Sequence, residues 1–304
     1  MNTTRRTEVL SFAFLCVASI VVWWRPLVAT VGLALGNDAY THILLVLPLS
    51  AGLIYLDAKT VRNNGRPSYG AGAVLLIAAL LIGGYARWGT LGGREDLRLT
   101  LAMLALVTWL IASVVLCFGV GAFQRFLFPL CFLFLMVPIP DFVLKWIVEF
   151  LQQQSAVAAR LMFRAAGVPV AQDGIRLTIP GLEIEVAREC SSIRSSLMLM
   201  VTTLFLAQLF LRSWWRKALL VAAAIPLSVA KNGLRIFTIG ELGTRVDPGF
   251  LNGRFHHNGG IVFFAISVGA VVMLLWILRW TELRGSVNLS AAVARINQAD
   301  RQGY

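Results

Sequence analysis

Three residue types able to make and break an acyl bond occur at short intervals in the second half of the chain. Cys190 stands in Arg188-Glu189-Cys190-Ser191-Ser192-Ile193-Arg194-Ser195, Arg235 in Lys231-Asn232-Gly233-Leu234-Arg235, and His256 in Phe255-His256-His257-Asn258-Gly259-Gly260. A thiol, an imidazole and a guanidinium brought to one place can perform nucleophilic acyl transfer. The imidazole removes the thiol proton, the thiolate attacks a carbonyl, and the guanidinium donates to the developing oxyanion. A helix starting just after Cys190, and Arg194 one turn on, would favour the thiolate, while Glu189 opposes it. Each residue also has a plainer reading. Cysteine often behaves as a small buried hydrophobe, which is the reading for Cys16, Cys117 and Cys131 inside apolar runs. Arginines near span ends snorkel to the interface, and a histidine there, His42 included, can be an interfacial cap. For Cys190, between charged and hydroxyl neighbours, spacing alone leaves both readings open.

The elements that must position these groups follow from composition. Of 304 residues, 58% are apolar and 14% charged, against roughly a quarter charged in soluble domains. No Asp, Glu, Lys or Arg occurs in 67–86, 99–124 or 255–278, and runs of about 18 apolar residues read as membrane spans. Candidate spans are 9–24, 39–56, 67–86, 99–118, 124–139, 193–211, 218–237 and 258–278. The expected fold is therefore an all-α polytopic membrane protein of about eight transmembrane helices. Residues 1–284 form a single membrane domain and 285–304 a short, polar, frayed cytoplasmic tail. A secreted enzyme and a nucleic-acid binder are excluded despite the net charge of +12, because basic excess in such a chain belongs to inner-face loops. The four cysteines share no C-x-x-C spacing, so neither a zinc cluster nor a redox pair is expected. Arg5 and Arg6 precede an apolar run as in a signal peptide, but no A-x-A site follows, and the run reads as an uncleaved first span.

With both termini in the cytoplasm, Arg5, Arg6, Lys59, Arg62, Arg66, Arg125, Arg212, Arg216, Lys217, Arg279 and Arg284 share the inner side, and most acids lie opposite. Cys190, Arg235 and His256 then reach the same extracytoplasmic boundary. The long connection before Cys190 holds two further elements. Over 141–164, polar residues recur about every four positions, predicting an amphipathic helix on the outer membrane surface; if it spans instead, all that follows changes sides. Over 175–186, period-two alternation around Pro180-Gly181 predicts a small β-hairpin.

These residues resemble the exosortase/archaeosortase family of multi-pass membrane transpeptidases from about Tyr40 to Trp280. Tyr40-Thr41-His42 is similar to the family's Y-S-H-G segment and Val137-Pro138-Ile139-Pro140 to its P-x-P turn; the stretch 151–170, with Gly167-Val168-Pro169-Val170, also matches. The more specific likenesses are Cys190-Ser191-Ser192-Ile193-Arg194-Ser195 to C-S-G-I-R-S, Pro226 with Asn232-x-x-Arg235 to N-x-x-R, and His256-x-x-x-Gly260 to H-x-x-x-G. Ser192 and Glu189 depart from the usual pattern, suggesting a divergent subgroup. The resemblance implies Cys190 as nucleophile, Arg235 as oxyanion stabiliser and His256 as general base and acid. Arg194, Asn232 and the alternative base His257 support them. It implies cleavage of a carboxy-terminal sorting signal (a Pro-Glu-Pro-like motif, a transmembrane helix and a basic tail) through a thioester outside the cytoplasmic membrane. It further implies membrane-inserted surface or exopolysaccharide-associated proteins as substrates, an acceptor nucleophile that resolves the thioester, and no need for a metal or cofactor. Two other classes fit the residues. In a transporter or anionic-lipid-binding protein, Arg194, Lys231, Arg235 and Arg254 would bind the anion and Cys190 would be incidental. In a structural subunit of a polysaccharide-export complex, all three motifs would tolerate substitution.

Overall fold

The computed structural model describes the backbone of residues 3–60, 67–186, 193–246 and 260–302, and the side chains of 6–56, 67–186, 193–246 and 260–284. The chain divides into two compact units, Met1–Ile147 and Val148–Tyr304. Among the described residues, six helices are long and apolar enough to cross a membrane, or up to eight if each of two bent helix pairs is one span. Their outward faces are apolar. Tyr69–Trp88 has a mean hydropathy of 1.8, yet only 17% of its most apolar window is buried inside the protein. Water would not tolerate that much exposed hydrocarbon, whereas a bilayer requires it. The protein is therefore a multi-pass membrane protein.

In the first unit, α1 (Thr3–Val22) and α2 (Trp24–Gly36) meet at a bend of 71°. The candidate spans 9–24 and 39–56 leave 25–38 between them, and most of that stretch is α2. Pro26 occupies the first turn of α2, where its missing N–H is not needed. α3 (Ile43–Thr60) and α4 (Tyr69–Trp88) follow, then α5 (Glu95–Arg125), the most buried of the long helices. Trp109 Nε1 on α5 donates to the Leu15 carbonyl at 3.0 Å, and its ring meets Trp23 at 5.4 Å.

The expected span at 124–139 is not one straight helix. It consists of α6 (Leu127–Phe132) and a 3-10 turn (Leu133–Met136), and the chain then bends by 93° into α7 (Asp141–Ala165). Ten residues of helix reach only about 15 Å, half the hydrocarbon thickness. Pro138 and Pro140 prevent continuation, since proline denies the backbone a donor and disfavours helix before it. The carbonyls freed there find side chains: Tyr40 Oη donates to Ile139 at 2.9 Å and Thr100 Oγ1 to Pro138 at 2.9 Å. Two of the segments that carry the family resemblance thus meet within this unit. His42 is buried, its Nδ1 3.1 Å from the Ala39 carbonyl of its own turn. Cys16 is half-buried, Cys117 buried and Cys131 exposed on the apolar surface, all three free thiols.

The second unit opens with the remainder of α7, whose polar and apolar faces follow the expected amphipathic pattern. The expected hairpin is part of a three-stranded antiparallel sheet, β1 (Ala171–Asp173), β2 (Arg176–Ile179) and β3 (Leu182–Glu185), in the order β1-β2-β3. Ile179 pairs with Leu182 across Pro180-Gly181. Proline supplies the fixed φ of the first turn position, and Gly181, at φ 80°, supplies the left-handed second. Alternation buries Leu177 and Ile179 in one cluster with Ala156, Ala159, Phe163, Val186 and Ile236. α8 (Ile193–Phe210), α9 (Trp214–Arg245) and α10 (Gly260–Gln302) complete the unit. Glu282 on α10 accepts from the backbone N–H groups of Arg212 and Ser213 in the α8–α9 turn and faces Arg216 at 3.5 Å. The tail expected to fray at 285–304 instead prolongs α10 to Gln302.

Candidate active site

α9 is the best-defined part of the site. Its buried stripe contains Ser228, Lys231, Asn232, Gly233, Arg235, Ile236, Ile239 and Gly240, a 3–4 spacing that keeps one face toward protein. Polar groups on that stripe reach helices on both sides. Toward α7, Asn232 Nδ2 donates to Ser155 Oγ at 2.9 Å, with Asn232 1% exposed. Its Oδ1 is buried without a hydrogen-bond partner among the described residues. Toward α8, Lys231 Nζ donates to Ser195 Oγ and Ser228 Oγ to Ser196 Oγ. Lys231 is 6% and Arg235 9% exposed, so two cations one turn apart are withdrawn from solvent on a membrane-spanning helix.

Small residues bring α9 close to α7. A Cβ on Gly233 would lie 2.7 Å from Ala158 Cβ and 3.1 Å from the Ala159 nitrogen. One heptad on, a Cβ on Gly240 would lie 2.8 Å from the tip of the Phe163 ring. That ring in turn meets Phe237 edge-on at 5.1 Å. Membrane helices gain little from burying hydrocarbon against each other, so close backbone approach and buried hydrogen bonds fix their register. Beside this contact an open apolar cleft of about 500 Å³ runs between the same two helices, lined by Phe150, Ala158, Leu161, Ile225, Pro226 and Ala230, among others.

α7 also holds the chain that leads to Cys190. Gln152 Nε2 donates to the Val186 carbonyl at 2.7 Å, and the Val186 N–H donates to the Ile175 carbonyl at 3.0 Å. Val186 lies four residues before Cys190. Of the site residues expected from sequence, Arg235 and Asn232 come together on α9's inner face, and Arg194 is exposed in the first turn of α8. Cys190, His256 and His257, with Arg188, Glu189 and Arg254, lie outside the described residues. Among the described residues no group of three or more His, Cys, Asp or Glu is placed to hold a metal.

Sequence reasoning overlooked Gln152, Ser155 and Ser195. A signal was available for the first two. They fall with Ala156, Ala159 and Phe163 on the buried 3–4 stripe of α7, and a polar residue on a buried stripe must have a partner. Ser195 gave no such signal, since its partner Lys231 is remote in sequence.

Neither a curated protein nor a solved structure matches the chain. A family model described as transmembrane exosortase (Exosortase_EpsH) matches residues 23–276. The match takes in the cysteine, asparagine–arginine and histidine motifs together with the helix and sheet that lead into them, and the chain belongs to the transmembrane exosortase family.

Proposed function

We propose that the protein is a cysteine peptidase–transpeptidase that cleaves a carboxy-terminal sorting signal at the outer boundary of the cytoplasmic membrane, with both its termini inside. Family membership supports a transpeptidase-type role on membrane proteins. The observation that carries the finer reading is Arg235, a guanidinium 9% exposed on a membrane-spanning helix. Through Asn232 that helix is tied to α7, which also holds the chain four residues before Cys190. Buried ionisable groups at membrane depth are costly and mark functional sites.

In this reading Cys190 gives its proton to His256 and attacks the scissile carbonyl. Arg235 donates to the oxyanion. Collapse of the tetrahedral intermediate breaks the C–N bond, His256 returns the proton to the leaving amine, and the acyl group remains as a thioester on Cys190. An acceptor nucleophile or water, deprotonated by His256, attacks the thioester and frees the thiol. The substrate ends in a short Pro-Glu-Pro-like motif, an apolar helix and a basic tail, so that lateral diffusion in the bilayer presents its motif at the depth of the site. Its carriers are surface or exopolysaccharide-associated proteins.

The test is co-expression of a reporter bearing such a signal with the wild type or with Cys190→Ala, followed by gel shift and mass spectrometry of the product end. Processing by the wild type alone supports the reading, and equal processing by both sinks it. The buried Lys231 and Arg235 pair also favours a second reading, a protein that binds an anionic lipid or solute with Arg194, Lys231, Arg235 and Arg254. That reading requires Cys190→Ala to keep function and Arg235→Ala to lose it.

A further inference from the structure

Five cations gather where the end of α8, the start of α9 and α10 meet. Arg212 stands in the α8–α9 turn, Arg216 and Lys217 in the first turn of α9, and Arg279 and Arg284 in α10. Glu282 locks α10 to that turn through the Arg212 and Ser213 N–H groups and faces Arg216. Lys217 Nζ donates to Gln208 Oε1 at 2.6 Å, and Arg279 lies 5.4 Å from the centre of the Phe210 ring, which ties α8 to both neighbours. Five cations thus face one carboxylate. The unit's other acids stand in α7, in the sheet, in sequence before α8, or at and after the far end of α9. The exception is Asp300, and the sixteen residues from Arg284 to it span about 24 Å of helix. Among the described residues Arg212, Arg279 and Arg284 have no side-chain ion pair or hydrogen bond, and Arg216 Nε is buried without a partner. Tryptophans stand among these cations. Trp214 is 79% and Trp276 64% exposed, and Trp276 stacks on Trp280 at 6.1 Å. Arg284 lies 3.6 Å from the Trp280 ring centre and Arg216 4.9 Å from that of Trp215. A ring face beneath a guanidinium takes none of its N–H donors.

We infer that this end of the second unit is a binding site for anionic phospholipids: Arg212, Arg279 and Arg284 hold the headgroup phosphate, and the exposed tryptophans meet the acyl chains below it. The occupant must join a negative charge to an apolar body. A soluble anion or an acidic protein would answer the cations and leave the indoles uncovered. A zwitterionic lipid would cover the indoles and leave the excess of cations unbalanced. An anionic phospholipid does both, and the guanidinium fork matches its phosphate oxygens in pairs. Basic residues between membrane helices are a known form of such sites, and tryptophan collects at the headgroup level. Membrane topology asks only that basic residues lie on one side; it does not ask that three helix ends bring them to one turn. The site lies about 30 Å along α9 from Arg235. It is independent of the transpeptidase reading and of the anion reading at Lys231 and Arg235.

The experiment places the full chain in nanodiscs made of equal parts phosphatidylcholine and phosphatidylglycerol. Native mass spectrometry reads which lipids stay with the protein on release, and melting temperature is compared with that in phosphatidylcholine alone. The wild type is set against a triple variant, Arg212→Gln with Arg279→Gln and Arg284→Gln. The control, Arg94→Gln with Lys145→Gln and Arg164→Gln, removes as much charge from exposed positions elsewhere. Wild type and control are expected to retain phosphatidylglycerol at least fivefold over phosphatidylcholine and to melt higher when it is present. The triple variant should retain it less than twofold and show no rise. Should the triple variant fail to fold, Arg284→Gln alone must weaken the preference at least twofold. A wild type without preference, a triple variant that keeps it, or a control that loses it equally overturns the inference. Inorganic phosphate added to phosphatidylcholine nanodiscs should leave the melting temperature unchanged. A rise equal to that given by phosphatidylglycerol, absent from the triple variant, would make this a site for a free anion and overturn the lipid assignment.

Discussion

Gly233→Ala adds one methyl group at the closest approach of α9 to α7. The new Cβ would stand 2.7 Å from Ala158 Cβ, 3.1 Å from the Ala159 nitrogen and 3.2 Å from the Ala158 carbonyl carbon. Two of those three neighbours are backbone, so no rotamer change relieves the clash and the helices must separate. Overpacking of this kind costs about 1–3 kcal/mol, while alanine in place of glycine returns roughly 0.8–1 kcal/mol of helix propensity. The net expectation is a loss of about 0–2 kcal/mol, or a fall of up to roughly 6 °C in melting temperature. Activity should fall further than stability. Arg235 is two residues away on the same helix, and displacing a reacting group by about 1 Å can cost on the order of 100-fold in rate. Gly269→Ala on α10 is the control, because a Cβ there meets nothing within 4 Å and only the propensity gain applies. The assay is thermal unfolding in nanodiscs alongside reporter processing. If Gly233→Ala raises the melting temperature as much as Gly269→Ala should, the close packing of α9 on α7 is refuted.

Arg235→Ala should lower kcat by about 100- to 1000-fold if the guanidinium serves the oxyanion. Arg235→Lys should recover little, because an ammonium cannot reproduce the fixed planar fork; equal rates for wild type and Arg235→Ala in the processing assay would remove the residue from the mechanism. His256→Ala should abolish processing and His257→Ala reduce it by less than tenfold, since only His256 has a glycine four residues on; the reverse order would make His257 the base. Gly181→Ala forces a left-handed φ of 80° on a residue with a Cβ, which should cost about 1 kcal/mol and show as a lower melting temperature. Arg176→Ala should leave that temperature unchanged within error, because the Arg176–Glu185 pair is more than half exposed on both sides and such pairs contribute about 0–1 kcal/mol.

Hydropathy made most of the membrane helices legible because a long apolar run has few other uses. It gave no sign of a bend where the same apolar composition is compatible with one. Residues 124–139 are apolar enough for a span, but Pro138 and Pro140 end the helical segment at Met136. Past Arg25 the apolar run continues into α2, since proline in a first helical turn costs nothing. The hairpin was readable from alternation about Pro180-Gly181, whereas β1 is three residues long and carries too few positions for any period. At the site, Asn232 and Arg235 stood out through their spacing. Gln152 and Ser155 did not, because a helix read for its polar face gives no attention to polar residues on the apolar one.

That oversight bears on how the site is held. The reacting groups proposed here lie in three motifs distant from one another in sequence, and none of those motifs can fix its own position against the others. α7 does so for the arginine motif and for the strand end at Val186. Its buried stripe presents Gln152 to the strand end before Cys190 and Ser155 to the asparagine before Arg235, and Ala158 and Ala159 leave room for Gly233. Spaced three residues apart, Gln152 and Ser155 lie on one face within about 5 Å along the helix axis. A change in the tilt or register of α7 would therefore move Val186 at the end of the sheet and the arginine together. Apolar contacts alone would let the helices slide, since hydrocarbon against hydrocarbon has little preferred register in a bilayer. Directional hydrogen bonds from a helix that takes no part in the chemistry remove that freedom.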